Sequence, residues 1–356
     1  MPTSPYDGER YATEIRRIYA QAERDTIKML ADELGTGTYR EDWAELKLRQ
    51  LRSIRGDIQS EVLDELDVDN KVRSAIDDAY RNGSDAAVAD LRRLDRRGAD
   101  IGDVDASFGA IDNDAIRAAA QETVGNLQST HIRILRQADD VYRQAVSEAQ
   151  TSVLTGTATR REASQKVLDK FANRGVTGFV DDAGRSWNLA SYSEMAVRTS
   201  TGRSAINGHL NRLQRNDHNL VIVSDHAEEC PLCRPWEGRV LSIQEYHPSY
   251  PSVSDARAQG LFHANCRHSL GAYIDGLTEA PTATEDAAGY ELRQEQRYNE
   301  RGIRKWKRRK VAAMDDETEQ YAQSKVSEWQ AKQRELVQSN DDLKRLYYRE
   351  QIEEAI

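Results

Sequence analysis

The sequence predicts a mainly α-helical, elongated protein with a small central α+β module and a helical hairpin near its C-terminal end. Three observations carry this. Charged residues make up 31% of the 356 and aromatics only 7%, with a mean hydropathy of −0.78. So lean an apolar supply suits long helices packed on one another better than one large globule. Apolar residues recur three and four apart over long stretches, the helical period. One stretch, 220–274, breaks that period with short β-like runs and holds all three cysteines.

Taken in order, residues 8–34 read as a helix with Tyr11, Ile15, Ile18 and Ala22 at helical spacing and Gly35 as its stop. A second helix is expected from Glu41 to Asp67, with Leu51, Ile54, Ile58, Val62 and Leu66 on one stripe. A more polar helix over 70–97 is expected to break near Gly83, and the Gly- and Asp-rich segment 96–114 reads as a loop. From Asn113, a good N-cap type, a long helix should reach Leu154 with Ile116, Ala120, Val124, Leu127, Ile134, Ala138, Val141 and Ala145 as its apolar face. A short helix over 157–174, ended by Gly175, leads into a hairpin around Asp182-Ala183-Gly184. Residues 191–216 are helical again, and Leu220–Ser224 is the clearest buried strand. GRVLSI (238–243) and LGAYI (270–274) supply two further strands.

Beyond the module the chain turns helical. One helix spans about 284–314. A second starts near Asp315–Asp316 and carries Ala322, Trp329, Leu336 and Leu343 at intervals of seven, with Val326 and Tyr347 between. That is a coiled-coil-like seam, and an antiparallel helical pair is its simplest arrangement. The resulting organisation is an N-terminal helical region (1–112), a long helix (113–154), the α+β module (155–283) and the C-terminal helices (284–356).

Charge and cysteine usage exclude several classes. The formal net charge of −10 argues against generic attraction to nucleic acid or anionic lipid. No run approaches the ~20 apolar residues of a membrane helix, and MPTSPYDGER has no basic-then-apolar leader pattern. Three cysteines, an odd number clustered with histidines, fit a metal site in a reducing compartment better than a disulfide framework.

The cysteines define the candidate site. Cys230 and Cys233 form a C-x2-C pair, answered thirty positions on by His263, Cys266 and His268 in an H-x2-C-x-H arrangement. Two thiolates on one turn and a later pair closing a tetrahedron is the ligand chemistry of a structural zinc knuckle. The preferred ligands are Cys230, Cys233, His263 and Cys266, with His268 as the alternative fourth; Asp225 and His226 stand just upstream. Four protein ligands leave no open position for water, so zinc here would be structural.

The same stretch carries a resemblance. CPLCRPWEGRVLSI and GLFHANCRHSLGAYI, preceded by RSWNLASYSEMAVRTSTGRSAINGH and followed by GYELRQEQRYNERGIRKWKRR, are similar to the phage minor capsid protein 2 family of tailed viruses, related to the MuF-like head-morphogenesis proteins. The resemblance covers roughly 176–335. It implies a low-copy virion protein inside the head near the portal, made in the host cytoplasm. Portal protein, major capsid protein or both would be its partners, and head assembly with genome packaging or ejection its role.

Two further features of the sequence bear on other functions. The run 291–310 holds nine Arg or Lys against three Glu, a net of +6, including Arg301, Arg304, Lys305, Lys307, Arg308, Arg309 and Lys310. Such a helix could contact the phosphates of packaged DNA, or be a face salt-bridged to acidic neighbours. The motif around Tyr192, Glu194 and Arg198 reads as an internal salt-bridged network rather than an active site. A metal-dependent hydrolase is the third reading, but the sequence shows neither a His-His or His-Asn catalytic pair at suitable spacing nor a glycine-flanked nucleophile. No enzymatic activity is expected.

Overall fold

The computed structural model describes residues 8–64, 66–175, 177–180, 186–226, 231–281 and 287–352. Among them the chain is mainly helical, with α1 (Glu9–Gly35), α2 (Trp43–Asp57), α3 (Val68–Arg96), α4 (Ala110–Leu154), α5 (Arg160–Arg174), α6 (Leu189–Arg215), α7 (Val253–Ala258), α8 (Ala287–Val311) and α9 (Asp316–Gln338). The strands are β1 (Thr177–Val180) and β2 (Ser186–Asn188), paired antiparallel, and β3 (Leu220–Val223), β4 (Val240–Ser242) and β5 (Leu270–Ala272). The last three form an antiparallel sheet of order β4-β3-β5, so the apolar run LVIV takes the central place. The chain divides into two compact units, Met1–Glu14, Val68–Gly125 and Glu194–Glu291 in one, Ile15–Asp67, Asn126–Ser193 and Leu292–Ile356 in the other.

The first unit holds the sheet. Leu91 and Leu94 of α3, with Ile206, Leu210 and Leu213 of α6, share a core with Val221, Val223, Leu241 and Leu270, into which Trp236, Phe262 and Cys233 also pack. The α3–α6 crossing is tight. A Cβ at Gly83 would fall 1.9 Å from the carbonyl oxygen of Ala205, and one at Gly208 would fall 2.1 Å from that of Tyr80. Gly83 therefore does not interrupt α3, as its low helix propensity suggests. The helix runs through it, and the missing side chain lets two backbones meet. His209 of α6 and Asp90 of α3 form a buried pair, Nε2 to Oδ2 at 3.2 Å.

In the second unit α1 and α2 are joined by Lys47 Nζ, which donates to Glu33 Oε1 at 2.6 Å. The stripe Leu51–Ile54–Ile58–Val62 is buried, but only to Asp57 as α-helix. Residues Ile58–Leu63 form a π turn. The long helix begins at Ala110, three residues before the expected cap. Asp112, not Asn113, satisfies the entry by accepting from the Gly109 N–H at 2.9 Å. Thr159 and Glu162 make the capping box of α5, and Gly175 ends it at φ +74°.

The rings of α8 and α9 meet in reverse order, Trp306 on Tyr321 at 5.7 Å and Tyr298 on Trp329 at 5.4 Å between centroids. Asp315 caps α9 by accepting from the Thr318 N–H at 2.8 Å. The helix stops at Gln338, so Leu343 and Tyr347 of the expected seam lie beyond it, Leu343 buried and Tyr347 exposed. Residues 182–184 of the expected hairpin turn, and the side chain of Trp187, lie outside the described residues.

Candidate metal centre

Strand β3 runs out of the sheet at Val223, and a clasp holds its end to the start of β5. The Ser224 N–H donates to the Ser269 carbonyl at 3.0 Å, and the Ser269 N–H donates to Ser224 Oγ at 2.9 Å. This fixes His268 beside the chain that follows β3. Cys233 then caps a 3-10 turn, Arg234–Trp236, whose Trp236 N–H donates back to the Cys233 carbonyl at 2.8 Å. Trp236 packs beneath it in the core, and the thiol itself is fully buried.

From the other side comes the loop 262–266. Phe262 and Asn265 both adopt left-handed backbone, φ +59° and +65°, and the Cys266 N–H closes a turn onto the His263 carbonyl at 2.9 Å. Asn tolerates that region; Phe does so rarely. The loop is gripped from α6. Arg198 Nη1 donates to Asn265 Oδ1 at 2.7 Å while Nε and Nη2 donate to Glu9, at 2.7 and 3.0 Å, and Nη2 to Glu194 at 2.5 Å. The salt-bridged network expected around Glu194 and Arg198 is thus formed, and it reaches the cysteine loop.

Donor atoms of Cys233, His263 and Cys266 lie within 4.8 Å of one another. The two sulfurs are 3.5 Å apart and unbonded. His268 Nδ1 stands 3.5 Å from Cys266 Sγ, and the His268 N–H donates to the same sulfur at 3.4 Å. The other ring nitrogen, Nε2, lies 2.5 Å from Glu237 Oε1, both side chains buried. The Cys233 thiol, followed by the His268 ring and amide, holds Cys266 down at about 4 against the opposing effect of burial. Burial lowers His268, but the Cys266 sulfur and the Glu237 carboxylate outweigh it and raise the imidazole above its ordinary value.

A soft cation suits this donor set of thiolates and imidazoles. Of the ligands expected from sequence, Cys233, His263 and Cys266 converge, His268 adjoins them, and His226 stands 6.1 Å from His268 ring to ring. Cys230 lies outside the described residues. Glu237 and the Arg198–Asn265 contact went unread. Their partners are 31 and 67 positions away in the chain, and no local pattern marks them.

The basic run occupies α8. Arg308 is buried and donates to the Ala172 carbonyl at 2.9 Å, with Glu23 at 3.6 Å. Arg309 pairs with Asp169 and lies over the Trp306 ring; Lys305 also approaches that ring. Lys310 reaches Gln323 and Glu319, Arg304 the Arg349 carbonyl and Lys307 the Gln351 side chain. Arg301 is exposed. No helix among the described residues is long and apolar enough to cross a membrane.

The described residues define a mainly helical protein with a small three-stranded antiparallel sheet beside a Cys/His cluster. The family profile described as phage minor capsid protein 2 matches residues 4–338, and the chain belongs to that family. It is 30% identical over 226 residues to a protein named "Structural protein" of Lactococcus phage LL-H, an alignment covering 59% of this chain and 61% of the relative. A second "Structural protein", of Lactococcus phage mv4, is 36% identical over 117 residues, 30% of this chain and 95% of its own length. The chain therefore spans less than two thirds of the LL-H protein. No solved structure matches it.

Proposed function

We propose that this chain is a structural component of the virion, a minor capsid protein held inside the head near the portal, with a role in head assembly and in genome packaging or ejection. Portal protein, major capsid protein or both are its partners in this reading, and it catalyses no reaction. The observation that carries the reading is the inward closure of the site in a member of this family. Cys233, Cys266, His268 and Glu237 are turned on one another, in the manner of a fastening. The name shared by both phage relatives, "Structural protein", supports it.

Zinc is the cation this reading assigns, held by Cys230, Cys233, His263 and Cys266 with His268 contending for the fourth place. Tetrahedral zinc with Zn–S of about 2.3 Å separates two thiolates by roughly 3.8 Å, and the sulfurs of Cys233 and Cys266 stand at 3.5 Å. The donors fit. The ion would fasten the β3–β4 connection to the loop before β5, and so stabilise a module with a small core.

The test is a phage whose copy of this gene carries an early stop codon. Loss of DNA-filled heads or of infectivity, restored by supplying the full chain, is expected, together with cross-links from the chain to portal protein in intact particles. Normal yields of infectious particles would refute the virion role, and cross-links confined to the shell protein would refute the portal-proximal position.

A further inference from the structure

We propose that Cys266 and Cys233 form a reactive dithiol that a hydroperoxide closes to a disulfide, Cys266 reacting first and Cys233 resolving it. Nothing in this depends on an ion between the sulfurs. They stand 3.5 Å apart and unbonded, and a disulfide needs a further approach to about 2.05 Å. The two thiols differ in access. Cys233 is fully buried in the core that also holds Trp236. Cys266 is half-buried and opens onto a pocket between α6 and its own loop, with Gly202, Ala205 and Phe262 among the walls. Gly202 has open space around its Cβ position, so that wall admits a small oxidant. Peroxide-sensitive cysteines combine an accessible thiol with a second thiol at hand to resolve it, and this pair supplies one of each.

The chemistry balances with the peroxide as sole co-reactant. The Cys266 sulfur attacks one peroxide oxygen and the O–O bond breaks, giving a sulfenic acid on Cys266 and one water that carries the thiol proton. The Cys233 sulfur then attacks Cys266 Sγ. The S–S bond forms, the S–O bond breaks, and the hydroxyl leaves with the Cys233 proton as a second water. Two electrons have passed from the sulfur pair to the peroxide. The product joins the turn that opens with Cys233 to the loop before β5 by a covalent bond, the same two segments that the proposed ion would join. Cytoplasmic thiols are kept reduced, whereas those outside the cell oxidise. The pair would therefore stay open while the chain is made and close once a particle leaves its host, a timing that rests on the virion reading above.

The experiment exposes the full reduced chain, metal-free and zinc-loaded, to hydrogen peroxide, then alkylates it and digests it with trypsin. Cys230 and Cys233 fall on the peptide 216–239, because Arg234 precedes a proline, and Cys266 falls on 258–267. The expected product is these two peptides joined through Cys233 and Cys266, with Cys230 alkylated. The link should be absent before peroxide and lost on treatment with dithiothreitol. The zinc-loaded chain should form it more slowly and release zinc as it does. A disulfide through Cys230 instead would overturn the inference. So would Cys266 driven to sulfinic acid while Cys233 stays open to alkylation, or all three cysteines still alkylated after peroxide. The mapping is made on the wild-type chain, so misfolding of a variant cannot mask the answer. A chain that takes up no zinc yet forms the link would remove the zinc reading and leave this one standing. Open thiols in released particles, with the link formed in the purified chain, would overturn the timing alone.

Discussion

Arg198 Nη1 donates to Asn265 Oδ1 at 2.7 Å, so a guanidinium on α6 grips the cysteine loop at a residue whose backbone is left-handed. Two costs are concentrated at Asn265, the lost hydrogen bond and the conformation itself. Ala in that region is disfavoured by roughly 1–2 kcal/mol, whereas Gly is not. Asn265→Ala should therefore lower the urea unfolding free energy by about 2 kcal/mol, and Asn265→Gly by about 1 kcal/mol. Equal losses in the two variants would show that the side-chain bond, not the backbone, is what the position supplies.

The α3–α6 crossing gives a second contrast. Ala is a better helix former than Gly by about 1 kcal/mol, so at an unhindered helical glycine the change should stabilise. Gly125 of α4 has open space around its Cβ position, whereas at Gly83 the added carbon meets the Ala205 carbonyl oxygen. Gly125→Ala is expected to raise the melting temperature slightly. Gly83→Ala should lower stability by on the order of 3 kcal/mol, since two helices must part to admit it. A neutral Gly83→Ala would mean that the crossing is looser than described.

These two sites mark where reading the chain succeeds and where it stops. Period and punctuation are local, so α1, α5 with its stop at Gly175, α6, and the strand LVIV were legible almost to the residue. At Gly83 the local signal is helix breaking, while the residue's use depends on α6, more than a hundred positions away. The seven-residue spacing through Leu343 runs on after the α9 helix stops at Gln338, because an apolar residue can be buried as well from a turn. At the site, the spacing of C-x2-C and H-x2-C-x-H pointed to Cys233, His263 and Cys266, whose donor atoms the fold brings within 4.8 Å of one another. Glu237 is an ordinary Glu before a Gly in the sequence, and only the fold brings it to His268.

The basic helix separates packing from phosphate binding. Arg308 is buried against the Ala172 carbonyl and Glu23, so Arg308→Gln leaves buried acceptors poorly paired and should cost on the order of 3 kcal/mol. Arg301 is exposed, and Arg301→Gln should stay within about 0.5 kcal/mol. Thermal melts of the two variants check this. Contact with DNA phosphates through the same helix would show differently. Neutralising Arg301 and Lys305 together would leave the melt unchanged while reducing the slope of log affinity against log salt by about 2.

Metal removal should act locally. The ion of the proposed site joins segments flanking β4 and β5, and the helices α5 and α9 of the other compact unit owe their burial to their own neighbours. Hydrogen exchange after chelation is therefore expected to accelerate at least about 100-fold over residues 231–242 and 261–272, equivalent to ~2.7 kcal/mol of lost local stability. Exchange in α5 and α9 should hold its rate. Trp236, packed beneath Cys233 in the core, should report the same event as a red shift of fluorescence that zinc reverses. Loss of protection spread evenly over the chain would mean that the metal supports the whole fold rather than one fastening. Unchanged exchange in 231–242 and 261–272, in a chain shown to have released zinc, would mean that hydrogen bonds such as the Ser224–Ser269 clasp and the Arg198 grip hold the module without it.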